Sequence, residues 1–297
     1  MIYKYNKYDS INSFINMFSS KNICNEYTIL NKCNGFDFEK NKYTDNCFAC
    51  LFCIFSNTLY KEFNRYWNDD LISKYADTMF NGVPVTPPSA KNIINCKYKS
   101  IEYFTSIDET SNIQPWIAGI LQNIGSTECR IGLEIPVFND NYNRNGRLDI
   151  CVINNNKKML ILETKTSLDD ALKDERFIEQ QKKYTDEINK YSDDYLYLTA
   201  FGGKETDLFP IDSIYCTGKI GNKTLRFYNF VKESNIHFIS ANAIWGICCN
   251  YLKYGKQYSW DIFIDNIFKD KNCVGLLSSG KIIYKDSKYY IEKIKRD

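Results

Sequence analysis

Asp149 lies in the stretch Gly146-Arg147-Leu148-Asp149-Ile150-Cys151-Val152-Ile153, and Glu163 and Lys165 close the stretch Met159-Leu160-Ile161-Leu162-Glu163-Thr164-Lys165. Two carboxylates at the polar edge of an apolar hairpin can bind a hard divalent cation, which takes oxygen ligands and keeps several waters. Such a cation stabilises charge on phosphoryl oxygens and lowers the pKa of a bound water. A lysine two residues beyond the second carboxylate can orient or help deprotonate that water and offset the local negative charge. This is the apparatus of metal-dependent phosphodiester hydrolysis.

The elements that must hold these residues read as two strands. Arg147 to Ile153 and Met159 to Thr166 are apolar runs joined by Asn154-Asn155-Asn156-Lys157, a hairpin-type connection. Strand parity puts Glu163 and Lys165 on one face with Met159 and Ile161, and Leu160, Leu162 and Thr164 on the other. Both faces are largely apolar, so the strand is central and covered on each side, where a charge is costly unless it serves something. In an antiparallel hairpin the start of the first strand lies beside the end of the second, which brings Asp149 and Glu163 within reach of one ion. Glu163-Thr164-Lys165 is the only E-x-K in the chain, and the sole D-x-K, Asp286-Ser287-Lys288, falls in a turn between two short strands where a carboxylate is simply solvated.

The surrounding order is regular. Ile113 to Ile124 fits a helix with Pro115 in its first turn and Gly125 at its end. Arg130 to Phe138 fits a strand that ends in the turn-rich Asn139-to-Gly146 segment. After the hairpin, Ser167 stands three residues before Asp170, a capping-box-like start for one helix running to about Tyr191. Tyr195 to Phe201 and Ile236 to Ser240 are further strands, the second leading into an apolar helix, Ala243 to Tyr254. Helix, three strands, helix, strand describes an α/β fold, a mixed β-sheet flanked by helices. Residues 1–105 read as a mostly helical N-terminal region with helical patterns over Phe48 to Tyr66 and Leu71 to Phe80 and a loop at 81–92. Residues 106–250 form the core, and residues 251–297 a C-terminal helix and β-hairpin extension.

At these residues the sequence resembles the PD-(D/E)XK nuclease superfamily. The resemblance covers roughly Glu109 to Ser240 and rests on Leu148-Asp149-Ile150 followed by Ile161-Leu162-Glu163-Thr164-Lys165; Leu148 stands where the family has its proline. It implies a restriction-endonuclease-like core with Asp149 and Glu163 as metal ligands and Lys165 as the catalytic lysine. Glu134, on the preceding strand, is a further catalytic and ligand candidate, and Thr164 is counted among the metal-ligating positions. Gln180-x-x-x-Tyr184 matches a Q-x-x-x-Y element that frames the site in RecB-like members; a spacing of four puts both on one helical face. Glu109 is the nearest acid on the first helix. The implied cofactor is Mg²⁺, with Mn²⁺ as a substitute. The implied activity is that of an endodeoxyribonuclease, most simply a type II restriction enzyme acting on double-stranded DNA as a homodimer without a nucleotide cofactor. Another nuclease of the superfamily, for defence, repair or RNA cleavage, or a non-catalytic nucleic-acid or protein-binding module that keeps the fold are the alternatives.

Composition narrows the field from outside. The 297 residues are 25% charged and 44% hydrophobic, as in a globular protein, and carry a net charge of only +2. A nucleic-acid partner therefore has to be met by local basic clusters. Arg144 and Arg147 before Asp149, and Lys204, Lys219, Lys223 and Arg226 in a loop-rich insertion after Tyr195 to Phe201, are the phosphate-contact candidates. The single histidine, His237, excludes HExxH proteases, His-rich zinc sites and most Ser-His-Asp schemes; it reads as structural. No phosphate-binding glycine loop is present, so nucleotide hydrolysis has no support. No signal peptide or membrane span is apparent, which points to the cytoplasm and to twelve reduced cysteines packed as small hydrophobes. Cys47, Cys50 and Cys53, with Cys24 and Cys33 upstream, are interleaved with Phe48, Leu51, Phe52, Ile54 and Phe55, the pattern of a buried helix rather than of cluster ligands on a loop.

Overall fold

The computed structural model describes residues 36–37, 42–43, 69–85, 130–138, 144–153, 158–190, 194–208, 222–234 and 236–295, together with positions 114, 117, 120, 121 and 124. Eight strands form one sheet: β1 (Arg130–Phe138), β2 (Arg144–Ile153), β3 (Met159–Lys165), β4 (Tyr195–Phe201), β5 (Ile236–Ser240), β6 (Cys273–Leu277), β7 (Gly280–Lys285) and β8 (Lys288–Glu292). Each strand lies beside its neighbours in sequence. β3 to β6 run parallel, and antiparallel pairs β1–β2 and β7–β8 extend the two edges. The helices are α1 (Asp69–Thr78), α2 (Leu168–Lys173), α3 (Phe177–Asn189), α4 (Glu205–Leu208), α5 (Asn222–Glu233), α6 (Ala241–Tyr254) and α7 (Trp260–Phe268). The fold is thus α/β, a mixed sheet flanked by helices.

The central strands are apolar on both faces, as parallel strands under helices must be. One face presents Ile150, Val152, Leu160, Leu162, Leu196, Leu198 and Ile239 to α1, α6 and α7 and to the helical turns carrying Ile117, Ile120, Leu121 and Ile124. The other presents Cys151, Met159, Ile161, Tyr195, Tyr197 and Ile236 to Tyr184 and Ile188 of α3. Further along that face, Phe177, Phe201, Phe227, Tyr228 and Phe238 build an aromatic cluster beneath α5, with Phe201 and Phe227 edge to face at 5.6 Å. Truncating a buried leucine such as Leu162 to alanine costs about 2–5 kcal/mol, since it removes apolar burial and leaves a cavity.

The helix α6 follows β5 without a linker. Ser240 ends the strand, caps the helix by accepting from the Ala243 N–H at 2.9 Å, and the next ten residues are all buried. Gly246 lies under Met79, just past α1: a Cβ there would lie 2.8 Å from the Met79 sulfur, so glycine lets the two segments approach closely. The pair is tied at its rim by the Lys253 ammonium donating to both Asp77 carboxylate oxygens at 2.7 Å.

Several expectations from the sequence are corrected in detail. The helix expected from Ser167 to Tyr191 is two helices. Ser167 does cap α2, accepting from Asp170 N, but Asp174 turns extended and its carboxylate accepts from the Arg176 N–H at 3.0 Å. This break lets Phe177 turn inward against Phe201 and Phe227. The turn expected over Asn139 to Gly146 is shorter, because β2 begins at Arg144, which pairs with Phe138 across a bulge. Lys223 and Arg226 lie on α5 rather than in a loop; Leu225, Phe227, Tyr228 and Val231 give that segment the three- and four-residue apolar spacing of a packed helix. The helical pattern at Leu71 to Phe80 corresponds to α1. Phe48 to Tyr66, Glu109, Lys219 and Cys24, Cys33, Cys47, Cys50 and Cys53 lie outside the described residues; Phe36–Asp37 pairs with Lys42–Tyr43 as a short antiparallel ladder.

The C-terminal segment continues the sheet. β6 runs parallel beside β5 and hands on to the β7–β8 hairpin, whose two turn residues Asp286 and Ser287 both have left-handed φ values, 51° and 62°. That is the backbone a two-residue hairpin turn demands, and it leaves Asp286 exposed in the turn between β7 and β8. Cys151, Cys248, Cys249 and Cys273 are free thiols buried in the core. No helix among the described residues is long and apolar enough to cross a membrane.

Candidate active site

The β2–β3 ladder runs from Ile153↔Met159 to Ile150↔Leu162 and stops there. The next residues in register are Asp149 and Glu163. Where the ladder stops, the Asp149 side chain replaces it: Oδ2 accepts from the Thr164 N–H at 2.7 Å and from the Thr164 hydroxyl at 2.8 Å. Two donors on one carboxylate oxygen fix its orientation. Glu163 is 2% exposed, and its Oε1 accepts from the Lys165 ammonium at 3.0 Å. Lys165 is itself largely buried, its side chain 15% exposed. A glutamate and lysine two apart on one strand share a face, as parity requires. The structure therefore brings Asp149, Glu163 and Lys165 together at the fork between β2 and β3.

Glu134 occupies a matching backbone position. It lies between Leu133 and Ile135, which pair with Ile150 and Leu148, so its register position is opposite Asp149. On the other side, Glu163 pairs with Thr199 of β4. Glu134, Asp149, Glu163 and Thr199 thus form one row across four strands. The Thr164 side chain is turned to Asp149, so the ligand this residue can offer an ion is its carbonyl oxygen.

Gln180 and Tyr184 are joined on α3: the Gln180 side-chain amide donates to the Tyr184 hydroxyl at 3.0 Å. Tyr184 lies directly on β2, three residues before Asp149. A Cβ on Gly146 would stand 2.1 Å from the Tyr184 hydroxyl oxygen, and Gly146 has φ +155°, so glycine is required there twice over. Outward from this contact opens a cleft of about 380 Å³ lined by Asp174, Arg176, Glu179, Gln180, Lys183 and Tyr184. Arg226 of α5 lines a second hollow beside it, with Lys173 and Phe177. Lys204 is exposed next to α4; Arg144 and Arg147 lie along β2 before Asp149. His237 is packed against Phe268 with ring centroids 4.8 Å apart, and burial pulls its pKa down to about 4, as suits a structural ring.

Four participants were not singled out in the sequence. The Gln114 amide, 1% exposed, donates to the Asp149 backbone carbonyl at 3.3 Å. Gln181 is fully buried and its side-chain oxygen accepts from the Thr199 hydroxyl at 2.8 Å. Tyr197, paired with Ile161, lies on the same face. Burial, and then the negative charges of Glu163 and Asp149, push its phenol well above the ordinary value. Gln114 and Gln181 had a legible signal: each is a polar residue on an apolar helical stripe, with Ile117, Ile120 and Ile124 in one case and Phe177, Tyr184 and Ile188 in the other. Thr199 and Tyr197 had none, since only strand register places them.

The donor set suits a hard cation. Asp149 and Glu163 stand at facing register positions, and Mg²⁺ needs only one or two carboxylates besides water and substrate phosphate. Among the described residues no group of three or more His, Cys, Asp or Glu side chains is gathered around one point. Comparisons with protein-family models, with curated proteins and with solved structures give no match for this chain.

Proposed function

We propose that this chain is a Mg²⁺-dependent endonuclease of the PD-(D/E)XK class, with a restriction-endonuclease-like core, that hydrolyses phosphodiester bonds in double-stranded DNA. The observation that carries the reading is the fork at Ile150↔Leu162, where Asp149, Glu163 and Lys165 meet in a largely buried site. Burying an acid at 2% exposure beside a second acid costs free energy that core packing alone does not require. Mn²⁺ would serve in place of Mg²⁺ with the same oxygen donors.

Asp149 and Glu163 would hold the ion. A bound Mg²⁺ supplies Lewis-acid stabilisation of the phosphoryl oxygens and a lowered water pKa. Lys165 orients the attacking water and offsets the charge of Glu163, to which it is already bonded. Tyr184 and Gln180 frame the side of the site that opens into the cleft, where Arg176 and Lys183 can meet the DNA backbone. A type II restriction enzyme, cutting a specific site as a homodimer, is the simplest member of the class for a chain without ATPase motifs.

The test is cleavage of plasmid DNA with Mg²⁺, with EDTA, and with Glu163→Gln and Lys165→Ala. Discrete Mg²⁺-dependent fragments abolished in both variants are expected. A smear would replace restriction by non-specific cleavage, and no cutting of DNA or RNA under any divalent cation would sink the enzyme reading in favour of a non-catalytic binding module.

A further inference from the structure

Beneath the fork lies a polar layer that the three site residues do not account for. Gln181 and Thr199 are fully buried and bonded to each other, the Thr199 hydroxyl donating to the Gln181 oxygen. That bond fixes the plane of the Gln181 amide, yet its Nε2 is buried with no hydrogen-bond partner among the described residues. The Tyr197 hydroxyl is likewise buried without one. Buried donors are almost always satisfied, so two on one face of the sheet, related through Thr199, need an explanation. Their place supplies it. Thr199 pairs with Glu163, and Tyr197 pairs with Ile161, two residues before Glu163 on the same face. Thr199 therefore stands beside Glu163 on β4, Tyr197 lies two residues earlier on the same face, and Gln181 of α3 is tied to Thr199.

We propose that Gln181 and Tyr197 are positioning residues for the Glu163 carboxylate: buried donors on its face of the sheet, bonded to no partner among the described residues, that turn to the carboxylate when it holds an ion. The inference rests on Glu163 being a metal ligand. Groups that orient a ligating carboxylate typically contribute 10–100-fold to metal affinity. Gln181, not its neighbour Gln180, is then the glutamine on which the metal site depends; Gln180 acts on Tyr184 at the cleft.

The experiment compares Mn²⁺ binding by calorimetry in the full-length protein and in Tyr197→Phe and Gln181→Leu, with thermal unfolding in parallel. Tyr197→Phe removes only a hydroxyl, so its midpoint without metal should match or exceed the parent, while Mn²⁺ affinity should fall about tenfold. Gln181→Glu, which puts a second charge in the layer, should weaken binding further than Gln181→Leu. Unchanged Mn²⁺ affinity in Tyr197→Phe and Gln181→Leu overturns the proposal even if the parent binds metal and cuts DNA. If the parent takes up no Mn²⁺, the metal reading itself fails, and a metal-free cycle decides the contact. The midpoint shifts of Tyr197→Phe and Glu163→Gln should then combine non-additively in the double variant; additive shifts reject the contact.

Discussion

Two glutamates are buried near the carboxyl ends of neighbouring parallel strands, and the chain treats them in opposite ways. Glu205, 3% exposed, lies just beyond β4. Its Oε1 accepts from the Ser240 hydroxyl and from the Ser278 N–H at 2.6 Å, and its Oε2 from the Ser278 hydroxyl at 2.5 Å. These donors are neutral, and each belongs to the end of β5 or the turn after β6. Ser278 also accepts the Val85 N–H at 2.9 Å and, through its carbonyl, the Phe80 N–H at 2.6 Å. Glu205 is a clamp that joins three strand ends and the segment after α1. Glu163 instead has a lysine on one side, an aspartate in the next register position and a polar layer underneath. A buried carboxylate saturated by hydroxyls and amides stabilises a fold; one surrounded by ionisable groups is arranged for something that arrives.

The largest expected effect tests the second half of that contrast. Lys165→Ala should lower cleavage by roughly a thousandfold, the scale of losing a proton-handling or charge-stabilising group, a loss far larger than the lowered midpoint from leaving Glu163 without its cation accounts for. Glu205→Ala should do the reverse. It strands the Ser240 hydroxyl and the Ser278 N–H and hydroxyl, each worth about 1 kcal/mol or more when buried and unsatisfied. A loss of about 3 kcal/mol follows, a midpoint drop of roughly 5 °C in a chain of this size, with cleavage per folded molecule unchanged. Thermal scans beside initial cleavage rates check both, and an inactive but thermally normal Glu205→Ala would erase the distinction.

A smaller effect is expected where α3 meets β2. Gly146→Ala drives a methyl into the Tyr184 hydroxyl and occupies a strained φ, at a cost of about 1–3 kcal/mol. Because Tyr184 must retreat from β2, cleavage should fall by more than stability alone predicts. Gln180→Leu at the same contact breaks a half-exposed bond and should lower cleavage only mildly. Equal losses in the two variants would mean that the frame is held by the bond rather than by the glycine.

How much of this was legible follows from which forces act locally. Parity alone put Glu163 and Lys165 on one face, and the apolar runs of β3 and β4 announced strands covered on both sides. Ser167 announced a helix start, but nothing in Leu168 to Tyr191 announced the break at Asp174, which exists because Phe177 finds Phe201 and Phe227, residues far along the chain. The clamp on Glu205 was invisible for the same reason: its donors, Ser240 and Ser278, come from strand ends separated by α6 and α7. The Q-x-x-x-Y spacing drew attention to Gln180, while the buried stripe Phe177, Gln181, Tyr184, Ile188 marked the neighbouring glutamine. Motif spacing finds residues that face a partner; periodicity finds those that face the core, and here the two differ by one position.

The smallest effect is a pH signature that separates the two carboxylates without any substrate. Burial raises the pKa of Glu205, and the hydrogen bonds from Ser240 and Ser278 only partly oppose this. A carboxyl raised in the folded state holds its proton to higher pH than in the unfolded chain. Its contribution to stability is complete below the ordinary glutamate value and is lost as pH rises through the raised one. The midpoint of the parent should therefore fall relative to Glu205→Gln as pH is taken from about 5 to about 8, because an amide cannot lose that proton. A difference that stays flat would mean that the clamp holds its charge as comfortably as water does. A difference of the opposite sign would mean that a positive group reaches Glu205, and its environment would then resemble that of Glu163 beside Lys165.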